Sequence, residues 1–531
     1  MSWFPSPPYV PRRCAAAALG ALSTLAAWLA PAGARAAPMR RPPVCTAAAG
    51  DAAAVLGRAA AVAGLPADGR VLRYAFRDLV SQDFQSDRPY PPYLTLEWGG
   101  TFWGDPVART QRLEEQPFGL GQQAPRPLVL LHGPRATYAA RDTTLAPFPG
   151  GHALSLRARP LDAWTTIADW RTALGQGTGA PRVVARCPYR EWPRVVLERA
   201  GADGPERLFV DPKSGLPVKL ERREPHALWG DVRVEYLWTN WEAVAGARAP
   251  LAAYRLVDGA VDVARLIGPP ALVPRDSAPP LAVPADAPAT LTGAPAASRP
   301  DADRPDADRP DTVRVGTHAF LLVSRAYTSA VVLARDTVWV LDATLGERRA
   351  TADAEWVARL FPGRHPVAVV VTDLAWPHVA GVRHWVARGA TVVSHAASEP
   401  FLRRVVARRW TLQPDALERL RRTRPAAAAL HFRAVHDALA VAGGALALHA
   451  IDGLGSEGAL MAWLPGDRFL WAGDFVQTVR APSAYAAEVA AAVQRAGLAP
   501  ERVAAMHLPV TSWAAVAALH PPSREATVRS Y

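Results

Sequence analysis

Val371-Thr-Asp-Leu-Ala-Trp-Pro-His-Val-Ala-Gly381 is the stretch on which the reading of this chain turns. It is entered from Val367, Val369, Val370 and Val371, a β-branched run suited to a buried strand, and Val379 to Ala387 can continue as a helix. Pro377 suits the start of that helix, because its φ is already helical and its missing N–H would be unpaired there anyway. Asp373 and His378 are the ionisable side chains between Val371 and Gly381.

The segment resembles the metal-binding loop of metallo-β-lactamase-fold hydrolases, which reads Thr-His-x-His-x-Asp-His-x-Gly-Gly and supplies four ligands of a one- or two-metal site. In that comparison Asp373 stands where the first His belongs, Ala375 where the second does, and Pro377 where the Asp does; His378 is kept. The proline that helps the helix therefore takes the place of a carboxylate.

The resemblance continues through residues 313–531 in the family's order. Thr317 to Arg335 and Val338 to Asp342 read as early strands turning at Asp336-Thr337, and Asp342 matches the acid that supports the metal loop from behind. Gly458 to Pro465, Gly466-Asp467 and Arg468 to Asp474 look like the family's hairpin, with Gly455 in the place of the third His and Glu457 in that of the neighbouring acid. Asp474 matches the aspartate that bridges two metals, and His507 matches the last His.

What the resemblance implies is an αββα sandwich with metal-assisted hydrolysis as its ancestral chemistry. The first metal position has lost its histidines, while the second keeps His378, Asp474 and His507. Two imidazoles and a carboxylate suit one zinc, iron or manganese ion; the alternative is a hydrogen-bonded His–Asp–His cluster that holds no metal. Hydrolysis also needs a group to orient the attacking water and manage its proton. Asp373 and Glu457 are the candidate proton acceptors, and Trp376 brings a large apolar group into the same loop.

At the amino end, Arg12-Arg13 precede an apolar stretch from Cys14 to Ala30, and Ala34-Arg35-Ala36 offers a small-x-small cleavage site. This predicts a signal peptide over 1–36 and an exported, periplasmic or extracellular protein, by the general or the twin-arginine route. Removing Arg12, Arg13 and Arg35 takes the formal charge from +12 to +9. The positive charges are spread among many acids, so the chain does not read as a nucleic-acid binder. One denser run, from Arg403 to Arg424, reads as a solvated helix face or as a docking surface for acidic lipids or an acidic ligand, a peripheral membrane contact. Cys45 and Cys187 are the mature cysteines and allow one disulfide in an oxidising compartment.

From 268 to 312 the chain is crowded with Pro, Ala and Asp, and ends in the near-repeat Arg299-Pro-Asp-Ala-Asp-Arg-Pro-Asp-Ala-Asp-Arg-Pro-Asp311, which predicts a semi-stiff tether. Upstream, residues 37–267 predict a mostly antiparallel β domain with a short helix over Ala47 to Ala63. Tyr93 to Trp98, Pro127 to Leu131, Arg207 to Val210, Leu216 to Glu221 and Asp231 to Tyr236 read as strands. Phe209-Val-Asp-Pro-Lys-Ser-Gly-Leu-Pro-Val-Lys-Leu220 resembles a hairpin of the half-barrel domains of periplasmic lipoprotein carriers, whose concave side holds acyl chains. Its tryptophans, among them Trp98, Trp103, Trp164, Trp170, Trp192, Trp229, Trp238 and Trp241, either line such a cavity or form the core.

The fold class is thus α+β, with a half-barrel-like β domain, a tether and a sandwich. Three functions remain open: a hydrolase-like protein with impaired two-metal chemistry, a non-catalytic binder of a small or apolar, lipid-like ligand, and a single-metal hydrolase. Substrate and oligomeric state are not readable from these residues.

Overall fold

The computed structural model describes residues 45–66, 69–81, 95–118, 128–132, 137–141, 144–147, 161–189, 192–244, 247–281, 310–324 and 327–519. The expected signal segment over 1–36 and most of the expected tether lie outside these residues. The amino-terminal part is a 15-stranded sheet whose pairs are all antiparallel, closing sequence-distant strands such as Ala260–Ile267 and Arg70–Ser81 against each other. Arg70–Ser81 shows why one face is covered: Tyr74, Phe76 and Val80 alternate inward while Arg73, Arg77 and Leu79 face out.

Two helices fill the covered face. Asp51 caps Ala52–Ala63 by accepting from the Ala53 and Ala54 N–H groups, and Gly64 ends it at φ 66°. The predicted start at Ala47 is corrected, because Thr46–Ala47 is a short strand paired with Arg186 and Ala185. The second helix, Ala163–Ala173, is capped by Asp162 and is buried along most of its length. Trp164, Trp170 and Trp238 join Leu56, Leu197, Leu208 and Tyr236 in the resulting core, whereas Trp192 is exposed. The Asp211–Pro217 joint is a hairpin, with Gly215 at φ 80° and Gly215 N–H donating to the Asp211 carbonyl.

Cys45 and Cys187 form a disulfide across 142 residues, which ties the segment ahead of the first helix to the sheet. The chain also stays with the sheet past Gly268: Ala271–Pro274 pairs with Arg70–Arg73, and Leu281 is buried. The Pro-rich composition placed the tether's start at 268, but a strand of this kind needs only an edge to pair with.

The carboxyl-terminal part has four layers. A seven-stranded sheet runs from Asp311–Arg314 to His431–Val435, and a six-stranded sheet from Ala438–Val441 to Leu508–Ser512. Leu321, Val332, Leu341, Val370 and Val393 of the first meet Leu446, Leu460, Leu464 and Trp471 of the second in one apolar core. On its other face the first sheet packs the helices Glu347–Leu360, Val382–Ala387 and Glu399–Ala407. The second sheet packs Ala484–Arg495 through Val489, Ala492 and Val493. Helix, sheet, sheet, helix is the layering the resemblance implied, and the chain as a whole is mixed α/β with mostly antiparallel pairing. Among the described residues no helix is long and apolar enough to cross a membrane.

The two parts dock through Asp231, whose carboxylate accepts from Thr411 N–H at 2.8 Å, Thr411 Oγ1 at 2.6 Å and Leu412 N–H at 3.0 Å. Arg408 reaches back to the Trp229 and Asp231 carbonyls and to Asp258. Trp229 packs edge-on against Phe401 under the Arg404 guanidinium. Gly230, at φ +64°, makes this approach possible, since a Cβ there would overlap the Arg409 carbonyl and the Trp410 ring. Much of the arginine run from 403 to 424 is absorbed by such bonds: Arg403 pairs with Glu399, Arg409 with Glu418 and Arg419 with Glu347, and Arg421 donates to the Arg408 carbonyl.

Candidate functional site

The strand Val367–Val370 delivers Thr372 and Asp373 to one end of the sandwich, and Trp376–Val379 begins the helical turn with Pro377 in its first positions. Asp342 ends the neighbouring strand Thr337–Leu341 at φ 73°, a backbone region that Asp tolerates better than most residues. From there its fully buried carboxylate accepts from Thr372 N–H at 3.0 Å, Thr372 Oγ1 at 2.7 Å and Trp471 Nε1 at 3.0 Å. It also lies 3.2 Å from His378 Nδ1. Asp342 thus ties the loop after Val371 to the strand that carries Trp471.

His378, Asp474 and His507, far apart in sequence, converge. The turn Ala472-Gly473 presents Asp474; Gly473 lies at φ +58°, where an added Cβ would crowd Thr372 Oγ1. His378 Nε2 is 4.0 Å from Asp474 Oδ2, and His507 Nε2 is 3.5 Å from Asp474 Oδ1. Burial alone would lower the His378 imidazole, but Asp342, Asp373 and Asp474 outweigh it and push it up to about 9. This favours the protonated form of the His378 ring, with the Asp342 carboxyl as its nearest acid. Burial raises Asp474, against the pull of His378 and His507.

Asp373 is buried and accepts from the Ala375 N–H, so its carboxyl is turned into its own loop. Burial carries it to about 7, with the nearby His378 opposing the rise. Glu457 is half-buried in the opposite loop, between Gly453 and Ala459.

Motif comparison does not reveal the aromatic groups around the cluster. Tyr327 packs against both Trp376 and His507, with ring centroids 6.3 and 5.1 Å away. Tyr485, on the helix Ala484–Arg495, stands over Gly455: a Cβ at 455 would lie 2.5 Å from its ring. The ring is braced edge-on by Phe475, and the loop is pinned to the same helix by Glu488, which accepts from Gly455 N–H at 3.0 Å and Ser456 Oγ at 2.6 Å. Tyr485 thus fills the space into which a side chain at position 455 would project.

These residues do not fit a two-metal centre. Ala375 and Gly455 carry no side-chain ligand atom, and Asp373 already accepts from the Ala375 N–H. At the second position His378, Asp474 and His507 face one another, yet among the described residues no three His, Cys, Asp or Glu side chains stand so as to hold a metal ion. What the arrangement favours chemically is a protonated His378 ring beside the Asp342 carboxyl.

No protein-family model matches the chain, and no curated protein matches it in sequence. Solved structures that align with it include metallo-β-lactamases. DIM-1 metallo-β-lactamase shares 13% identity over 40% of this chain and 95% of its own, with a TM-score of 0.32. The enzyme from Pontibacter korlensis shares 15% identity over 39% of this chain and 96% of its own, with a TM-score of 0.30. FIM-1 from Pseudomonas aeruginosa, in its mono-zinc form, shares 12% identity over 40% of this chain and 93% of its own, with a TM-score of 0.32. Likeness at this level does not bear on activity.

Proposed function

We propose that this chain is an exported two-domain protein of hydrolase-like fold that has lost two-metal hydrolysis and works by binding a small or apolar ligand. The observation that carries this reading is the closed first position, where Tyr485 covers Gly455 and Ala375 offers no donor. Catalysis of the ancestral kind requires two ions or one ion with a positioned base; here the charge that the carboxylates need is met by the His378 imidazolium. Export is supported by the Cys45–Cys187 disulfide, since such bonds persist in oxidising compartments.

A single divalent ion among His378, Asp474 and His507 is the second reading. It is favoured by His378 Nε2 and Asp474 Oδ1, buried atoms with no hydrogen-bond partner.

Metal analysis of protein purified without chelators or a histidine tag separates the two. The proposal predicts less than about a tenth of an equivalent of zinc, iron or manganese, and no ester or amide turnover that falls in His378→Ala or Asp474→Ala. About one equivalent, lost in His507→Ala, supports the single-ion reading. About two equivalents, with hydrolysis abolished by Asp474→Ala, overturn both.

A further inference from the structure

Between the outer face of the amino-terminal sheet and the 407–409 turn of the sandwich lies a cleft of roughly 700 Å³, walled by both domains. We propose that it binds a phosphate-bearing anion. Arg223 and Arg233 stand directly opposite each other on adjacent antiparallel strands, an arrangement that repels unless something negative lies between or over the pair. Their side chains are about half exposed, 51% and 53%, and Arg207 on the next strand is similar at 48%.

Each of these guanidiniums is held at one side only. Arg207 uses Nε on Glu198, Arg223 uses NH2 on Asp231 and Thr411, and Arg233 uses NH2 on Glu235. All three line the cleft. The acids nearby are already occupied. Asp231 accepts from Thr411 and Leu412, while Asp258 takes the Arg233 N–H and the Arg408 guanidinium. An incoming anion therefore meets donors held in place by carboxylates it does not have to displace. Planar forks aimed from neighbouring strands suit the several oxygens of a phosphate group.

Because Arg408 lines the same cleft and spans the domains, such a ligand would sit against the docking interface. The inference is independent of the sandwich cluster, and its test does not involve metal.

The phosphate can come from a free small molecule or from a lipid headgroup, and one experiment covers both. Calorimetric titration of the whole protein with inorganic pyrophosphate is paired with co-sedimentation on phosphatidylglycerol vesicles, using phosphatidylcholine vesicles as the neutral control. The proposal expects salt-sensitive binding in at least one arm. Arg207→Ser/Arg233→Ser, which leaves the Asp231 contacts intact, should weaken it by about tenfold or more. Arg359→Ser, at an exposed arginine on a sandwich helix, should leave it unchanged. Pyrophosphate binding assigns the site to a free anion, and vesicle binding alone assigns it to a headgroup. Binding in neither arm, or equal binding by the double variant, overturns the proposal.

Discussion

Asp342→Ala should be the most damaging single change in the sandwich, lowering its unfolding free energy by about 4 kcal/mol in urea titrations followed by tryptophan fluorescence. The carboxylate is fully buried and accepts from Thr372 N–H, Thr372 Oγ1 and Trp471 Nε1. Deleting it strands all three donors and leaves the His378 imidazolium without its nearest acid. Asp342→Asn, which keeps an acceptor but not the charge, should cost about half as much. A pH series gives the sign. The His378 pKa is raised from 6.5 to about 9 in the folded protein. The stability it contributes is therefore fully present below 6.5 and is lost as pH rises through about 9. In Asp342→Ala the loss across that window should shrink. If Asp342→Ala unfolds at the wild-type midpoint, the carboxylate is not organising this end of the sandwich.

Reducing or deleting the Cys45–Cys187 bond should produce the second large effect, this time confined to the amino-terminal domain. The bond closes 142 residues of chain, and the entropy of so long a loop in the unfolded state corresponds to about 5 kcal/mol. Cys45→Ser/Cys187→Ser should lower the amino-terminal unfolding transition and leave that of the sandwich in place. Wild-type protein treated with reductant should show the same shift. An unchanged transition in both would mean that the first strand and helix are held by packing alone.

The fold was readable wherever a local pattern had a single physical outcome. The valine run before Thr372, Pro377 at the start of a helical turn and the Asp211–Pro217 joint each appear where the residues placed them. His378 and His507 each lie within 4.0 Å of Asp474, a proximity that local pattern alone does not announce. Signals were weaker where neighbours distant in sequence decide the result. The helix Ala163–Ala173 is buried on most sides, so it shows no polar and apolar stripe, and only Asp162 marks its start. Tyr485 arrives over Gly455 from an alanine-rich helix that carries no motif. Two cysteines 142 residues apart have no spacing that announces a bond. The arginine run from 403 to 424 suggested a solvated or docking face, yet several of its members are bonded into the fold, Arg408 across the domain boundary. Composition reports charge, but not which carbonyls and acids lie within reach.

The central claim is that one end of the sandwich carries a protonated imidazole between acids in place of a metal centre. Long-range nitrogen–proton NMR of the His378 ring, on protein as purified and after adding zinc, tests this most directly. The account predicts an imidazolium at pH 7.5 that titrates near 9, with signals unmoved by zinc. A neutral ring at pH 7.5, with one nitrogen shifted on zinc addition together with that of His507, would contradict it.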